Sequence, residues 1–189
     1  MSNEKINKSY KDIYSMVKDV SDLEERFNKL ISLTDTYNSI SFEEKLKVKK
    51  RFNKDREYFK VLYSSGEERN CENCHENCFA NSYCENCIRH YKFQSSSGNN
   101  EVDNLIKNCQ SESINPCMVV EWIPYNHFHG ITNKDSYKDQ SIQFADWNEG
   151  NYCKWDKKEK KLIRFGNCKV VLKSLKDDDI ANRTWIDEV

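Results

Sequence analysis

Nine of the 189 residues are cysteine, and four of them form two C-x-x-C pairs, Cys71-Glu72-Asn73-Cys74 and Cys84-Glu85-Asn86-Cys87, with nine residues between the pairs. Two thiolates three positions apart lie on one side of a tight turn. Two such turns brought together complete a tetrahedral shell at metal–sulfur distances of about 2.3 Å. A shell closed by four protein ligands leaves no position for a substrate, so the chemistry expected of Cys71, Cys74, Cys84 and Cys87 is structural binding of zinc. Cys78, His75 and His90 are spare donors able to replace one of the four. The competing readings are a redox dithiol and buried or free thiols. The redox reading is weakened because no βαβ pattern surrounds either pair. Glu72, Glu76 and Glu85 stand beside the ligands, which disfavours a phosphate-gripping finger and favours protein contact or scaffolding. The segment is poor in apolar residues, so zinc binding on the order of 10 kcal/mol is expected to be what folds it.

The compartment follows from the same cysteines and from what surrounds them. The opening Met1-Ser2-Asn3-Glu4-Lys5-Ile6-Asn7-Lys8 has no apolar stretch of the signal-peptide kind. No apolar run approaches the roughly 18 residues that cross a bilayer. An intracellular, cytoplasmic protein is therefore expected, and with an odd number of cysteines a disulfide framework is not. The net charge of −1 supplies no global positive field to draw the chain onto nucleic acid, so any such affinity would have to be local.

The elements that hold the cysteines are read from periodicity. Ile13, Met16, Val20, Leu23, Phe27 and Leu30 recur at 3,4 spacing, a helical stripe in heptad phase. After the polar break Thr34-Asp35-Thr36-Tyr37-Asn38-Ser39, the pattern Ser41-Phe42-Glu43-Glu44 is a capping box that opens a second helix. Leu46, Phe52, Phe59 and Leu62 are its expected buried face, and the two helices are expected to fold back as a hairpin. Dimerisation through the stripe, giving a homodimer, is the alternative. The basic run Lys45, Lys47, Lys49, Lys50, Arg51, Lys54 and Arg56 reads as a solvated face, with nucleic acid or an acidic membrane surface as the other reading.

Beyond the cysteines, Gln94-Ser95-Ser96-Ser97-Gly98-Asn99-Asn100 is a polar connector ending in capping residues. It leads into a short helix with Val102, Leu105, Ile106 and Cys109 on one face, and Pro116 ends that region. From Met118 the pattern is of short β-type runs, 119–123, 141–147, 161–165 and 169–175, with turns at Asn148-Glu149-Gly150-Asn151 and Gly166-Asn167. Ile180, Trp185 and Val189 read as the start of a further helix. The expected class is α+β: a helical hairpin over 1–66, a small zinc-ribbon-like four-cysteine element over 67–93, a connector with a short helix over 94–117, and an antiparallel β-meander over 118–189.

Glu121-Trp122-Ile123-Pro124-Tyr125-Asn126, the strand end Ala145-Asp146-Trp147 and Val170-Val171-Leu172-Lys173 resemble the start of a protein kinase domain. They are most similar to the expanded tyrosine-kinase-like kinases of arbuscular mycorrhizal fungi. In that family a helical segment, a paired C-x-x-C element and a Ser-Gly-Asn-Asn type connector into a short helix precede the kinase domain. All three occur here in that order, so the resemblance covers about 65–189 and implies a partial kinase amino-terminal lobe in the last third. By the same resemblance Lys173 matches the strand lysine that contacts ATP phosphates, Glu188 its helix partner, and Ile142 the residue covering the adenine ring. The plain alternative is an outward strand lysine and a solvated glutamate.

The departures from that family set the functional expectation. The three phosphate-loop glycines fall at Asp135, Tyr137 and Gln140, and the aromatic tip at Asp139. Without glycine the backbone amides cannot approach a phosphate, and two carboxylates repel it. The sequence ends at Val189, before any catalytic-loop aspartate or Mg-binding Asp-Phe-Gly. The expectation is a noncatalytic, truncated kinase-like fragment, a pseudokinase remnant with a structural zinc element that acts through protein contacts, with ATP binding weak or lost. The alternatives are the front of a longer ATP-binding kinase and a nucleic-acid-binding zinc protein. His75, His90, His127 and His129 form no Ser-His-Asp or Cys-His catalytic pattern, and surface or packing roles are their default.

Overall fold

In the computed structural model, which describes residues 2–93, 95–133 and 142–174, the amino-terminal segment is three α-helices and not the expected hairpin: α1 (Ser2–Ser15), α2 (Leu23–Thr36) and α3 (Phe42–Leu62). The stripe from Ile13 to Leu30 is interrupted because Asp22, in extended backbone, caps a new helix by accepting the Glu25 amide at 2.8 Å. Arg26 Nε donates to the Val20 carbonyl at 2.7 Å and fixes the turn. The break rotates the face, so that Val17 is buried while Met16 is 53% exposed.

The capping box opens α3 as expected: Ser41 Oγ accepts the Glu44 amide at 3.3 Å, and the Ser41 amide donates to Glu44 Oε2 at 2.8 Å. Its buried face is corrected, however, to Val48, Phe52, Lys60 and Val61, with Leu46 and Leu62 exposed. Leu46 lies two positions from Val48, about 200° round the helix, so the two cannot share a face. Ile6, Ile13, Val17, Phe27, Leu30, Ile40, Val48 and Phe52 form one core, in which the Tyr10 ring stacks on Phe52 at 4.7 Å. Much of the basic run is engaged within the helices. Lys45 donates to the Asp35 carbonyl at 2.6 Å, Lys49 pairs with Asp35 at 2.5 Å and Arg51 donates to Asn7 Oδ1 at 2.8 Å. Lys60 reaches Glu24 at 2.9 Å, and Arg56 reaches the same carboxylate at 3.7 Å.

The helices and the cysteine segment form one compact unit, Met1–His90. The cysteine segment contains a two-residue ladder, β1 (Arg69–Asn70) with β2 (Asn77–Cys78), then the short helix α4 (Glu85–Arg89). Ser82 ties it to α3, its amide and hydroxyl donating to Glu57 Oε2 at 2.8 and 2.9 Å.

The second unit, Tyr91–Val189, begins with the connector and α5 (Asn100–Ser111). As its sequence implies, Asn99 Oδ1 caps α5 by accepting the amides of Glu101 at 2.9 Å and Val102 at 3.3 Å. Among the described residues five strands follow: β3 (Phe128–Asn133), β4 (Ile142–Trp147), β5 (Tyr152–Asp156), β6 (Lys161–Arg164) and β7 (Cys168–Lys173). They make an antiparallel sheet in the order β3-β4-β7 and a separate β5-β6 ribbon, so the expected meander is corrected to a sheet with a hairpin nested in its last connection. The expected strand over 119–123 is not one. The segment runs between Pro116 and Pro124 with its Val120 carbonyl taking the Gln110 side chain at 2.8 Å, and β3 pairs with β4 in its place.

Arg164 fastens that segment to the ribbon. Its guanidinium makes a fork to both Glu121 oxygens at 2.8 and 2.5 Å, donates to the Gly150 carbonyl at 2.8 Å, and lies 4.1 Å from the Tyr152 ring centroid. Gly150 itself has φ +63°, and a Cβ there would stand 2.1 Å from the Gly166 carbonyl oxygen. The turns that enter and leave the ribbon, side by side at its open end, are therefore in close backbone approach, and only glycine fits at that point. The helix expected from Ile180 lies outside the described residues.

Candidate metal centre

The four paired cysteines converge. Cys71 closes the β1 side of the knuckle and Cys74 its tip, while Cys84 caps α4 and Cys87 lies in that helix's first turn. The second pair is thus built on a helix start and not on a second ribbon turn, which departs from the expected ribbon-like pattern. Local hydrogen bonds explain the knuckle. The Cys71 amide donates to the Glu76 carbonyl at 2.9 Å, and the His75 amide returns to the Cys71 carbonyl at 2.9 Å. His75 takes the left-handed conformation, φ +62°, that this tight return needs. Arg69 holds the outgoing strand by donating through Nε to the Ala80 carbonyl at 2.7 Å and through Nη2 to the Tyr83 carbonyl.

All four sulfurs lie within 4.8 Å of one another, with Cys71 and Cys87 at 3.7 Å and Cys74 and Cys84 at 3.6 Å. A regular tetrahedron of thiolates around an ion at about 2.3 Å has an edge of about 3.8 Å. A disulfide needs about 2.05 Å, and the cysteines are free thiols. The four can hold a metal ion. Second contacts orient the sulfurs as metal thiolates require. The Asn73 amide points at Cys71 Sγ at 3.4 Å, the Asn73 side chain donates to Cys87 Sγ at 3.3 Å, and the Cys87 amide points at Cys84 Sγ at 3.4 Å. Of the spare donors, His75 and His90 are exposed and outside the sulfur group, whereas Cys78 is fully buried next to it.

Burial opposes ionisation of Cys71, but the amides of Cys74 and Asn73 outweigh it and hold that thiol down to about 6. Burial pushes Cys84 up, and Cys87 up to about 11. At pH 7 those two thiols therefore carry protons that an incoming ion must displace. Metal affinity is expected to rise with pH across neutrality, because the ion displaces thiol protons, and more steeply below about pH 6, where Cys71 also protonates. Competition titrations against a chelator at several pH values measure this slope, and a flat profile would count against the four-thiol set.

The positions matched to a nucleotide site are only partly described. Ile142 opens β4 directly opposite Lys173 at the end of β7, which is exposed. Glu188 and the phosphate-loop positions Asp135, Tyr137, Asp139 and Gln140 lie outside the described residues. The sequence reading missed the bidentate Arg164–Glu121 pair and the buried Glu85 beside the sulfurs, because each depends on contacts distant along the chain. No helix among the described residues is long and apolar enough to cross a membrane. Comparison with protein-family models, with curated proteins and with solved structures finds no match to this chain.

Proposed function

We propose that the chain is a noncatalytic protein-interaction module whose cysteine element is folded by a structural zinc ion. The observation that carries this reading is the group of four sulfurs within 4.8 Å of one another, three of them buried, on two short elements with little other core. Four thiolates select a soft or borderline ion such as zinc over magnesium or calcium. Contact with a protein is supported by apolar side chains left in solvent one turn apart on α3, Phe42 at 74% and Leu46 at 52% exposure. Native mass spectrometry of the purified chain is expected to show bound zinc that disappears in the double variant Cys71→Ser/Cys74→Ser. A wild-type chain without metal would remove the basis of the proposal.

A second reading, a kinase-like amino-terminal lobe, is favoured by one arrangement. The antiparallel order β3-β4-β7, with Ile142 facing Lys173 across the ladder, is what such a lobe would use to line an adenine pocket. The ribbon β5-β6 inserted before β7 is not something that pocket needs. Phosphate transfer above that of a Lys173→Ala control would overturn the noncatalytic assignment and favour this reading.

A further inference from the structure

Cys78 and Glu85 have no part in the four-thiolate site, yet both are buried against it. Cys78 on β2 is fully buried, and Glu85, the first residue of α4, is 4% exposed. Glu85 Oε1 accepts the Phe79 amide at 2.7 Å. Its other oxygen, Oε2, is buried with no hydrogen-bond partner among the described residues. A carboxylate oxygen in that state is costly unless a proton or a cation meets it. Arg69, in the same element, directs its Nε and Nη2 to the carbonyls of Ala80 and Tyr83 and not to Glu85. A single dication on four thiolates leaves a local charge of about −2, and an ionised Glu85 would lie beside that negative charge.

The ligand atoms of Cys78, Cys84 and Glu85 all lie within 4.8 Å of one another. We propose that these three residues form a second metal position that shares the Cys84 thiolate with the four-cysteine site. The inference rests on the zinc reading above, since Cys84 belongs to both positions. Two thiolates and one carboxylate suit zinc and its cobalt and cadmium surrogates, and exclude calcium and magnesium as occupants. Three protein ligands leave the fourth tetrahedral place to water, in contrast to the closed neighbouring shell. Binding there displaces the Cys78 proton, which now reaches toward the Arg69 carbonyl at 3.5 Å, and brings a cation to the Glu85 carboxylate.

Anaerobic titration of the full chain with cobalt(II), followed by thiolate-to-metal charge transfer, separates the possibilities. The wild-type chain is expected to take up two equivalents in two steps, the second adding a band of lower thiolate content. Glu85→Gln, which keeps an oxygen for the Phe79 amide, and Cys78→Ser are each expected to lose the second equivalent. The unchanged first-step spectrum in these variants reports that the element still folds. A wild-type chain that saturates at one equivalent with a four-thiolate spectrum overturns the second site while leaving the zinc reading intact. Two equivalents in both variants overturn the ligand assignment, and no uptake at all overturns both readings.

Discussion

Chelation of the metal is expected to unfold residues 69–90 while α1, α2 and α3 stay folded. The cysteine element has only a two-residue ladder and a five-residue helix of its own, neither of which survives in isolation. Half of its buried side chains are cysteines, the others being Ala80, Tyr83, Glu85 and Ile88. On the proposed reading, metal binding on the order of 10 kcal/mol would supply most of its folding free energy. The three helices, by contrast, share a continuous apolar core to which no cysteine contributes. Hydrogen exchange resolves the two. The amides of Cys71, His75, Ile88 and His90, each bonded within the element, should lose protection when a strong chelator is added, and the interior amides of α3 should keep theirs. Far-ultraviolet circular dichroism should change little, since α4 is short. Equal protection with and without chelator would mean that something other than the metal folds the element.

Phe52→Ala should have the opposite selectivity, loosening the helices. Phe52 is fully buried where α3 meets α1, its ring stacked on Tyr10 at 4.7 Å and 6.4 Å from Tyr14. Truncation leaves a ring-sized cavity and is expected to cost about 3–5 kcal/mol. That is a large part of the roughly 5–15 kcal/mol a domain has in total. Phe42→Ala, on the same helix but 74% exposed, should stay within about 0.5 kcal/mol of the parent. Urea denaturation followed by helical ellipticity measures both. Similar midpoints for the two variants would show that the core is not organised around Phe52.

Local signals were read correctly where the residues that make an element also lie together in sequence. The C-x-x-C spacings, the Ser41–Glu44 box and the Asn99 cap each act over three residues, and all three appear as expected. The break before α2 was equally local. Asp22 and Glu25 stand at capping-box spacing, but the apolar stripe running through them reads as one continuous helix. The strands were harder to read. Val119-Val120-Glu121-Trp122-Ile123 has the β-branched composition of a strand, yet Glu121 is held by Arg164, 43 positions away, and the segment joins no sheet. β3 contains Gly130 at φ +59° and a register shift between His129 and Thr132, so its own sequence argues weakly for a strand, and pairing with β4 decides it. At the site, the ligand cysteines were legible from spacing. The closeness of Cys78 and Glu85 arises only when β2 and α4 fold against each other.

The contact between Gly150 and Gly166 also bears on the order of assembly. Pairing of Trp147 with Cys168 closes a loop of the 20 residues between them, and that closure precedes any gain from the β4-β7 ladder. The β5-β6 hairpin can zip first, on a timescale of about 1–10 μs. Its turn is set by Asp156 Oδ1, which accepts the amides of Lys158 at 2.9 Å and Glu159 at 3.0 Å. Once zipped, it brings the Phe165 and Gly166 amides to the carbonyls of Asn151 and Glu149, at 2.8 and 3.0 Å. The strand ends then meet with little chain left to confine. A nominally long-range sheet is thereby reached through a series of short-range closures, and the rate of that search is governed by the turn after Asp156 more than by the strands it unites.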